Sequence, residues 1–365
     1  MNLQGKGFYI WQIRRCEGGD ARVIANVASQ AELTHVLVKI ADGSSPYNID
    51  LNTGVDLVPP VVQALHERSI LVLGWQYVYG YDPIGEADIA IQRIQNLGID
   101  GFVIDAEDPY KQSGRETAAR QYMSRLRASL PSFFIALSSY RYPTLHPQLP
   151  WQAFLEKCDC NMPQVYWVEA HNPGDQLIRS VREFQSITPV RPIIPTGSAY
   201  MQGDWSATIQ DIYQFLQTAQ NLNLMAANFW EWGHTRLYLP ELWETVDEYP
   251  WPVDPSSLDI VIRYIDALNT HNLDQVLALY NSLAVHVTSE RTIQGREAIR
   301  DWYNIFFNQL LPDGVFTLED YSGNLGSRHF TWSATSSAGN VENGRDSFGL
   351  VSGNIVYHFT SFSVT

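Results

Sequence analysis

The residues best suited to chemistry are Asp105 and Glu107, in the run Asp100-Gly-Phe-Val-Ile-Asp-Ala-Glu107. The run reads as a strand over Gly101–Glu107. Side chains alternate across a strand, so Val103, Asp105 and Glu107 share one face. Two acids two residues apart repel when both are ionised. One of them then holds its proton to higher pH. A carboxyl that is still protonated near neutrality is what general-acid cleavage of a glycosidic bond requires. The same pattern also fits an acidic strand end that binds water, a loop or a helix N-terminus. Two carboxyls on one strand approach a sugar from one side. A retaining pair instead flanks the bond at about 5–5.5 Å. A substrate whose own 2-acetamido group serves as nucleophile removes the need for a flanking partner. N-acetylated amino sugars are therefore the expected substrate class.

Those acids need a frame. Strand-like runs are expected at Gly7–Gln12, His35–Ile40, Ile70–Gln76, Gly101–Glu107, Phe133–Ser138, Met162–Trp167, Pro192–Thr196 and Ala226–Trp232. Most are continuously apolar, as parallel strands covered on both faces are. Amphipathic helices are expected at Asp56–Arg68, Glu86–Leu97, Arg115–Leu130, Gln176–Phe184 and Ser206–Gln220, with Asp175 and Asp204 as start signals for the last two. Eight such units over residues 1–246 predict an α/β fold, a (β/α)8 TIM-type barrel. A doubly wound open sheet is the rival, but no Gly-rich phosphate loop follows the first strand. Catalytic groups of a barrel gather at the carboxyl ends of its strands. Trp75, Tyr77, Tyr140, Tyr166, Trp167, Trp230 and Trp232 are all expected there, as flat faces for sugar rings or as packing. Asp42, in the turn Asp42-Gly-Ser-Ser, is a further ligand-contact candidate. Glu169, His171 and Glu231 lie at strand ends and read as loop or cap residues.

A proline-rich seam at 247–257, Asp-Glu-Tyr-Pro-Trp-Pro-Val-Asp-Pro-Ser-Ser, predicts a linker. Residues 258–365 read differently. Helices are expected at Leu258–Asn269, Leu273–Tyr280 and Arg296–Asn308. Strands are expected at Ala284–Thr288, Phe316–Tyr321, His329–Ser336, Asn340–Leu350 and Asn354–Val364, with a turn at Ser352-Gly353-Asn354 between the last two. This is the pattern of a smaller α+β domain. All four lysines precede the seam. After it stand six arginines against seven aspartates and four glutamates.

The formal net charge of −15 makes nucleic acid an unlikely partner, since a phosphate backbone is repelled by such a field. It also favours neutral glycans over anionic cell walls. No apolar run reaches the roughly 18 residues of a membrane span, so no membrane partner is expected. Three cysteines, Cys16, Cys158 and Cys160, read as reduced structural thiols. The N-terminus lacks the order of a signal peptide, and a cytoplasmic address is expected unless export is non-classical. The histidines show no ligand spacing, so no metal and no cofactor are expected.

The barrel half resembles two glycoside hydrolase groups. Asp-Gly-x-x-x-Asp-x-Glu and Met162-Pro-Gln-Val-Tyr166 are similar to family 18 chitinases. That resemblance implies Glu107 as proton donor, with Asp105 and Tyr166 orienting the acetamido group and Gln164 placing substrate. Val103 stands where the chitinase pattern has another acid. Val38-Lys-Ile-Ala-Asp-Gly43, Asp105-Ala-Glu107 and Asn228-Phe-Trp-Glu231 resemble family 25 lysozymes. Those enzymes carry an Asp on the first strand, where this chain has Gly7-Phe-Tyr-Ile-Trp11, and another at the position of Asn228. Trp75 and Trp230 would form stacking platforms, joined by Tyr77 and Trp232.

Gly295-Arg-Glu-Ala-Ile-Arg-Asp-Trp302, His329-Phe-Thr-Trp332, Gly344-Arg-Asp-Ser-Phe348 and Gly353-Asn-Ile-Val-Tyr357 resemble the SnoaL-like polyketide cyclase and nuclear-transport-factor group. The resemblance implies a curved sheet around helices with a conical pocket, and a homodimer formed through this domain. His286, Asp346 and His358 are its candidate acid–base groups, or else surface or core residues. Three readings stand open. The first is a glycosidase acting on peptidoglycan- or chitin-type glycans. The second is an inactive glycan-binding or assembly protein. The third is chemistry in the SnoaL-like pocket, with the barrel as scaffold.

Overall fold

The structure is a computed structural model and describes residues 3–251, 259–324, 326–351 and 353–365. Two compact units divide the chain: Met1–Leu65 with Ile70–Pro252, and His66–Ser69 with Val253–Thr365.

In the larger unit eight parallel strands form a closed barrel: β1 Gly5–Ile10, β2 Leu33–Asp42, β3 Leu71–Val78, β4 Gly101–Ala106, β5 Phe134–Tyr140, β6 Cys160–Val165, β7 Thr196–Ser198 and β8 Ala226–Trp230. Neighbours in sequence pair in order, and β1 pairs with both β2 and β8, which closes the ring. Inward residues recur at every second position. Tyr9, Leu37, Leu73, Trp75, Val103, Ala136, Met162 and Ala226 form one buried cluster. Outward residues such as Val36, Val72, Phe102, Ile104 and Leu137 are equally sealed. Burial on both faces explains why these strands read as continuous apolar runs.

The helices between them are α1 Ala21–Gln30, α2 Val58–His66, α3 Pro83–Leu97, α4 Arg115–Ser129, α5 Trp151–Leu155, α6 Pro173–Phe184, α7 Ile209–Asn221, α8 Trp232–Tyr238 and α9 Pro240–Glu248. Local chemistry sets several ends. Asp82 accepts from the Gly85 N–H before Pro83, and Gly98 closes α3 at φ +66°. Two expected start signals are corrected. α6 begins after Asn172, with Asp175 already inside its first turn. α7 starts at Thr208, whose hydroxyl and the Asp211 carboxylate form a reciprocal capping box, so Asp204 is not its cap.

The last strand stops at Trp230, two residues short of expectation. Glu231 accepts hydrogen bonds from the Gly233 and His234 N–H groups and starts α8. The expected linker is also shorter. α9 takes in Asp247 and Glu248, and Trp251 is 9% exposed with its indole N–H on Met225 O. Lys6 fixes this end. Its ammonium, buried in the barrel, donates to the carbonyls of Val246, Asp247 and Tyr249 at 2.7, 2.9 and 2.9 Å. These are orphan acceptors at a helix C-terminus, where a cation is favoured. Desolvation pulls the Lys6 pKa down, opposed by Glu32 and Asp247. Residues 252–257 of the expected linker lie outside the described residues, as does Ser352 of the expected turn.

The smaller unit is α+β. It contains α10 Ile260–Asn269, α11 Leu273–Leu277, β9 Tyr280–Val287, β10 Thr292–Gln294, α12 Arg296–Ile305, β11 Val315–Asn324, β12 Ser327–Ser336, β13 Gly339–Val351 and β14 Asn354–Ser361. A five-residue π-helical turn, Phe306–Leu310, extends α12. The sheet runs β10-β9-β14-β13-β12-β11, with only β9 and β14 parallel. Tyr280, expected in a helix, opens β9. Among the described residues no helix is long and apolar enough to cross a membrane.

Candidate active site

Asp105 faces into the barrel near the end of β4, in register with Tyr77 on β3 and Ser138 on β5. It is 7% exposed. Glu107 follows the strand and is half-buried. It stands at the N-cap position of a 3-10 turn, Asp108–Lys111, yet its side chain makes no capping bond. Capping a turn therefore does not explain this acid. Both carboxyls meet the same group instead. The Gln164 Nε2 on β6 donates to Asp105 Oδ1 at 3.0 Å and to Glu107 Oε1 at 2.9 Å. Ser138 Oγ lies 3.4 Å away.

Burial and the neighbouring Glu107 charge push the Asp105 carboxyl well above the usual carboxylate range. A hydrogen bond between the two acids adds to this, while Lys39 and Gln164 pull the other way. Asp105 therefore keeps its proton to higher pH than an isolated carboxyl would. The opposing cation, Lys39 on β2, is 5% exposed. Its ammonium sits 3.2 Å from Asp42 Oδ2 and lies over the Tyr47 and Trp75 rings at 4.4 and 4.8 Å. Sequence reasoning missed Lys39 as a site residue. Its signal was a lone lysine inside the apolar run Val36–Ile40.

Aromatic walls surround the pair. Tyr77 is half-buried, and burial with the charges of Glu107 and Asp105 raises its hydroxyl pKa. The Tyr140 hydroxyl donates to Asp108 Oδ1 at 2.7 Å, and its ring stacks on His146 at 3.8 Å. Tyr166 is half-buried, edge-on to Tyr200 at 5.6 Å, and feels the charges of both acids. Trp230 is half-buried and leans on Tyr9 and Trp75 at 5.6 and 5.5 Å, with Trp11 at 6.5 Å.

Other expected contacts are corrected. Trp75 is 2% exposed, and its indole N–H donates to Ile10 O at 3.1 Å. It supports Trp230 from below and offers no free face. Trp232 is fully buried in α8, 4.7 Å from Trp243 and bonded to Glu17. The early end of β8 turned it away from the mouth. Trp167, also fully buried, packs on Phe215. Asp42 is engaged by Lys39 and by the Tyr79 hydroxyl at 3.1 Å. Among the minor candidates, Glu231 is a helix cap, His171 pairs with Asp211 at 2.7 Å, and Glu169 is exposed.

Asn228, which departs from the lysozyme pattern, is sealed against His35 on β2. Asn228 Oδ1 lies 2.6 Å from His35 Nε2, and both residues are wholly buried. Gly7 makes room for them, because a Cβ there would come within 2.3 Å of His35 Nε2. Burial lowers the His35 pKa to about 4, so the imidazole stays neutral. Val103, at the relay position of the chitinase pattern, is fully buried in the inner cluster.

In the smaller unit Asp346 Oδ2 meets His358 Nε2 at 2.7 Å, while Asp346 Oδ1 accepts from Trp332 Nε1 at 2.9 Å and Thr360 Oγ1 at 2.5 Å. His358 Nδ1 meets the Tyr280 hydroxyl at 2.6 Å, and that hydroxyl meets Tyr303 at 2.6 Å. His286 stacks on His358, 4.1 Å between centroids. Both histidines are fully buried and Asp346 is 2% exposed. The three candidates are brought together, but inside a packed core.

Residues 261–360 match the family model of the SnoaL-like domain. The match does not extend to the barrel and gives no support to its glycoside hydrolase resemblance. No curated protein matches the chain. Among solved structures, an NTF2-like protein of unknown function from Cytophaga hutchinsonii is similar, at 12% identity over 31% of this chain and 92% of that one, TM-score 0.25. An NTF-2 like protein of unknown function from Burkholderia xenovorans shows 13% identity over 29% and 81%, TM-score 0.26. A protein of unknown function with a cystatin-like fold from Methylobium petroleophilum shows 14% identity over 29% and 74%, TM-score 0.26.

Proposed function

We propose that the barrel is a glycosidase for glycans containing N-acetylated amino sugars, with Glu107 as the proton donor. The observation that supports this reading is the Asp105–Glu107 pair, joined by Gln164 and flanked by Tyr77, Tyr140 and Tyr166. Burial and the adjacent Glu107 charge make Asp105 keep its proton to higher pH than a lone carboxyl. Glu107, the more exposed of the two, delivers a proton to the glycosidic oxygen. The substrate's acetamido oxygen attacks the anomeric carbon as the leaving group departs, and Asp105 and Tyr166 steady the acetamido group. Water then opens the cyclic intermediate and returns the proton to Glu107. Trp230 provides the floor for the sugar ring. The SnoaL-like domain serves as an assembly module and pairs two copies of the chain.

The test is release of reducing ends from N-acetylglucosamine oligomers and peptidoglycan fragments. General-acid catalysis is worth about 10²–10⁴-fold, so Glu107→Gln should lower turnover by that factor. Activity that survives Glu107→Gln rules out this site. A second reading, glycan binding without turnover, is favoured by the apolar Val103 and the sealed His35–Asn228 pair. Saturable oligosaccharide binding with no product selects it.

A further inference from the structure

We infer that Gln164 is a positioning residue for the acid pair: its amide nitrogen, spent on Asp105 and Glu107, holds the two carboxyls together so that they share one proton. The carboxamide nitrogen carries two hydrogens. At 3.0 and 2.9 Å, one goes to each acid. The flipped orientation would set the amide oxygen against both carboxyls, so the network assigns the nitrogen to this place. With both hydrogens engaged, Gln164 has none left to donate to a sugar. Any contact it makes with substrate is left to its carbonyl oxygen, as an acceptor.

The arrangement depends on the strand between them. Gln164 lies on β6, Asp105 on β4 and Glu107 just past its end, with β5 intervening. At the crossing point β5 carries Ser138, in register with both Asp105 and Met162. This small side chain lets the longer Gln164 reach over it, and its hydroxyl is the third neighbour of the amide. An amide also differs from a carboxyl in what it can do. It adds no charge to a site already crowded with like charges, and it favours the ionised form of whichever acid has lost its proton. The other groups acting on the pair are Lys39 from β2, Tyr77 from β3, Tyr140 from β5, Tyr9 from β1, Tyr166 just after β6 and Tyr200 after β7. Of these only Lys39 is a cation, and it is shared with Asp42. Gln164 is thus the neutral donor that both acids have in common.

The catalytic consequence rests on the proposed glycosidase reading, but the proton sharing does not, and the test separates them. Side-chain carboxyl carbons of the full-length protein are followed by NMR against pH, with Asp105→Asn and Glu107→Gln assigning the two signals. In the unaltered chain the two titrations should be reciprocal, each acid showing a second step when the other ionises. Gln164→Leu should move the upper step to higher pH by about one unit, a tenfold rise in proton affinity. Gln164→Glu, which keeps the shape and adds a charge, should move it further. Should Gln164→Leu fail to fold, Gln164→Glu alone carries the test, with Ser138→Val, which obstructs the reach over β5, as its companion. Unmoved titrations in the folded variants overturn the inference, even if glycan is cleaved. Shifted titrations in a protein that cleaves no glycan uphold it and sink the glycosidase reading. If both hold, the basic limb of the kcat profile follows the NMR shift in Gln164→Leu while KM changes little.

Discussion

The mouth of the barrel and the core of the SnoaL-like domain hold the same kind of cluster, a buried acid among hydroxyls and rings, and put it in opposite conditions. Asp346 is satisfied on both oxygens, by Trp332, Thr360 and His358, and His358 is satisfied on both nitrogens. Aromatic side chains close over all of them. Asp105 instead is buried facing a second acid, and both burial and that charge raise its pKa, while Glu107, Tyr77, Tyr166 and Trp230 keep part of their surface in solvent. A fully satisfied network stiffens a core. Like charges kept together at an open rim cost stability and tend to persist where they do chemistry. Residue type alone does not separate a site from a scaffold; access and frustration do.

The comparison breaks most sharply under two substitutions. Glu107→Gln carries the largest expected effect, the loss of turnover described above, with the fold intact by circular dichroism. Asp346→Ala should do the reverse. It leaves His358, Trp332 and Thr360 without a buried acceptor and should cost about 3–5 kcal/mol in denaturant unfolding, with turnover per folded molecule unchanged. Loss of turnover there, with Glu107→Gln silent, would transfer the chemistry to the smaller unit.

pH sharpens the contrast, because the two regions respond with opposite sign. Neither ring nitrogen of His286 has a hydrogen-bond partner among the described residues, and burial, aided by His358, holds its pKa far below that of a free imidazole. The unfolded chain takes up this proton below about pH 6.5 and the folded one does not. The SnoaL-like unit should therefore lose stability as pH falls through that range, by up to about 1.4 kcal/mol per pH unit, and His286→Phe should flatten the slope. For Asp105 the folded pKa is raised, so the unfolded chain releases its proton first, from about pH 4 upward. Barrel stability should fall as pH rises from there, and Asp105→Asn should remove that decline. Urea midpoints across pH measure both.

The smallest expected effect concerns assembly. Val285 pairs with Tyr357 and Val287 with Phe359, and the two aromatic residues are 43% and 36% exposed on the outer face of the sheet. Under the proposed pairing of two copies, replacing both with Glu should leave a monomer in sedimentation and the unfolding midpoint of the unit nearly unchanged.

Much of this frame was legible. Seven of the eight expected runs fall on barrel strands, because parallel strands covered on both sides leave no polar alternation, while the run at Pro192–Thr196 meets β7 only at Thr196. α3, α4 and α7 were readable from amphipathic spacing. α1 was not, because it buries only Ile24, Ala25 and Ala28, and α5 spans a single short turn. Trp232 was misplaced because Glu231 works as a helix cap, a role that depends on which N–H groups come within reach.

The amino-acid order by itself determined the alternation of strands and helices, the seam before a second domain, and the shared face of Asp105 and Glu107. These follow from periodicity and from bonds between near neighbours in the chain. Only the folded chain decided which rings stay open, that the Lys39 charge acts on Asp105 from across β3, and that Gln164 reaches both acids over Ser138. Those contacts join residues 59 and 57 positions apart in the chain in the case of Gln164. No local pattern encodes them, because closure of the ring of strands is what brings the side chains into register.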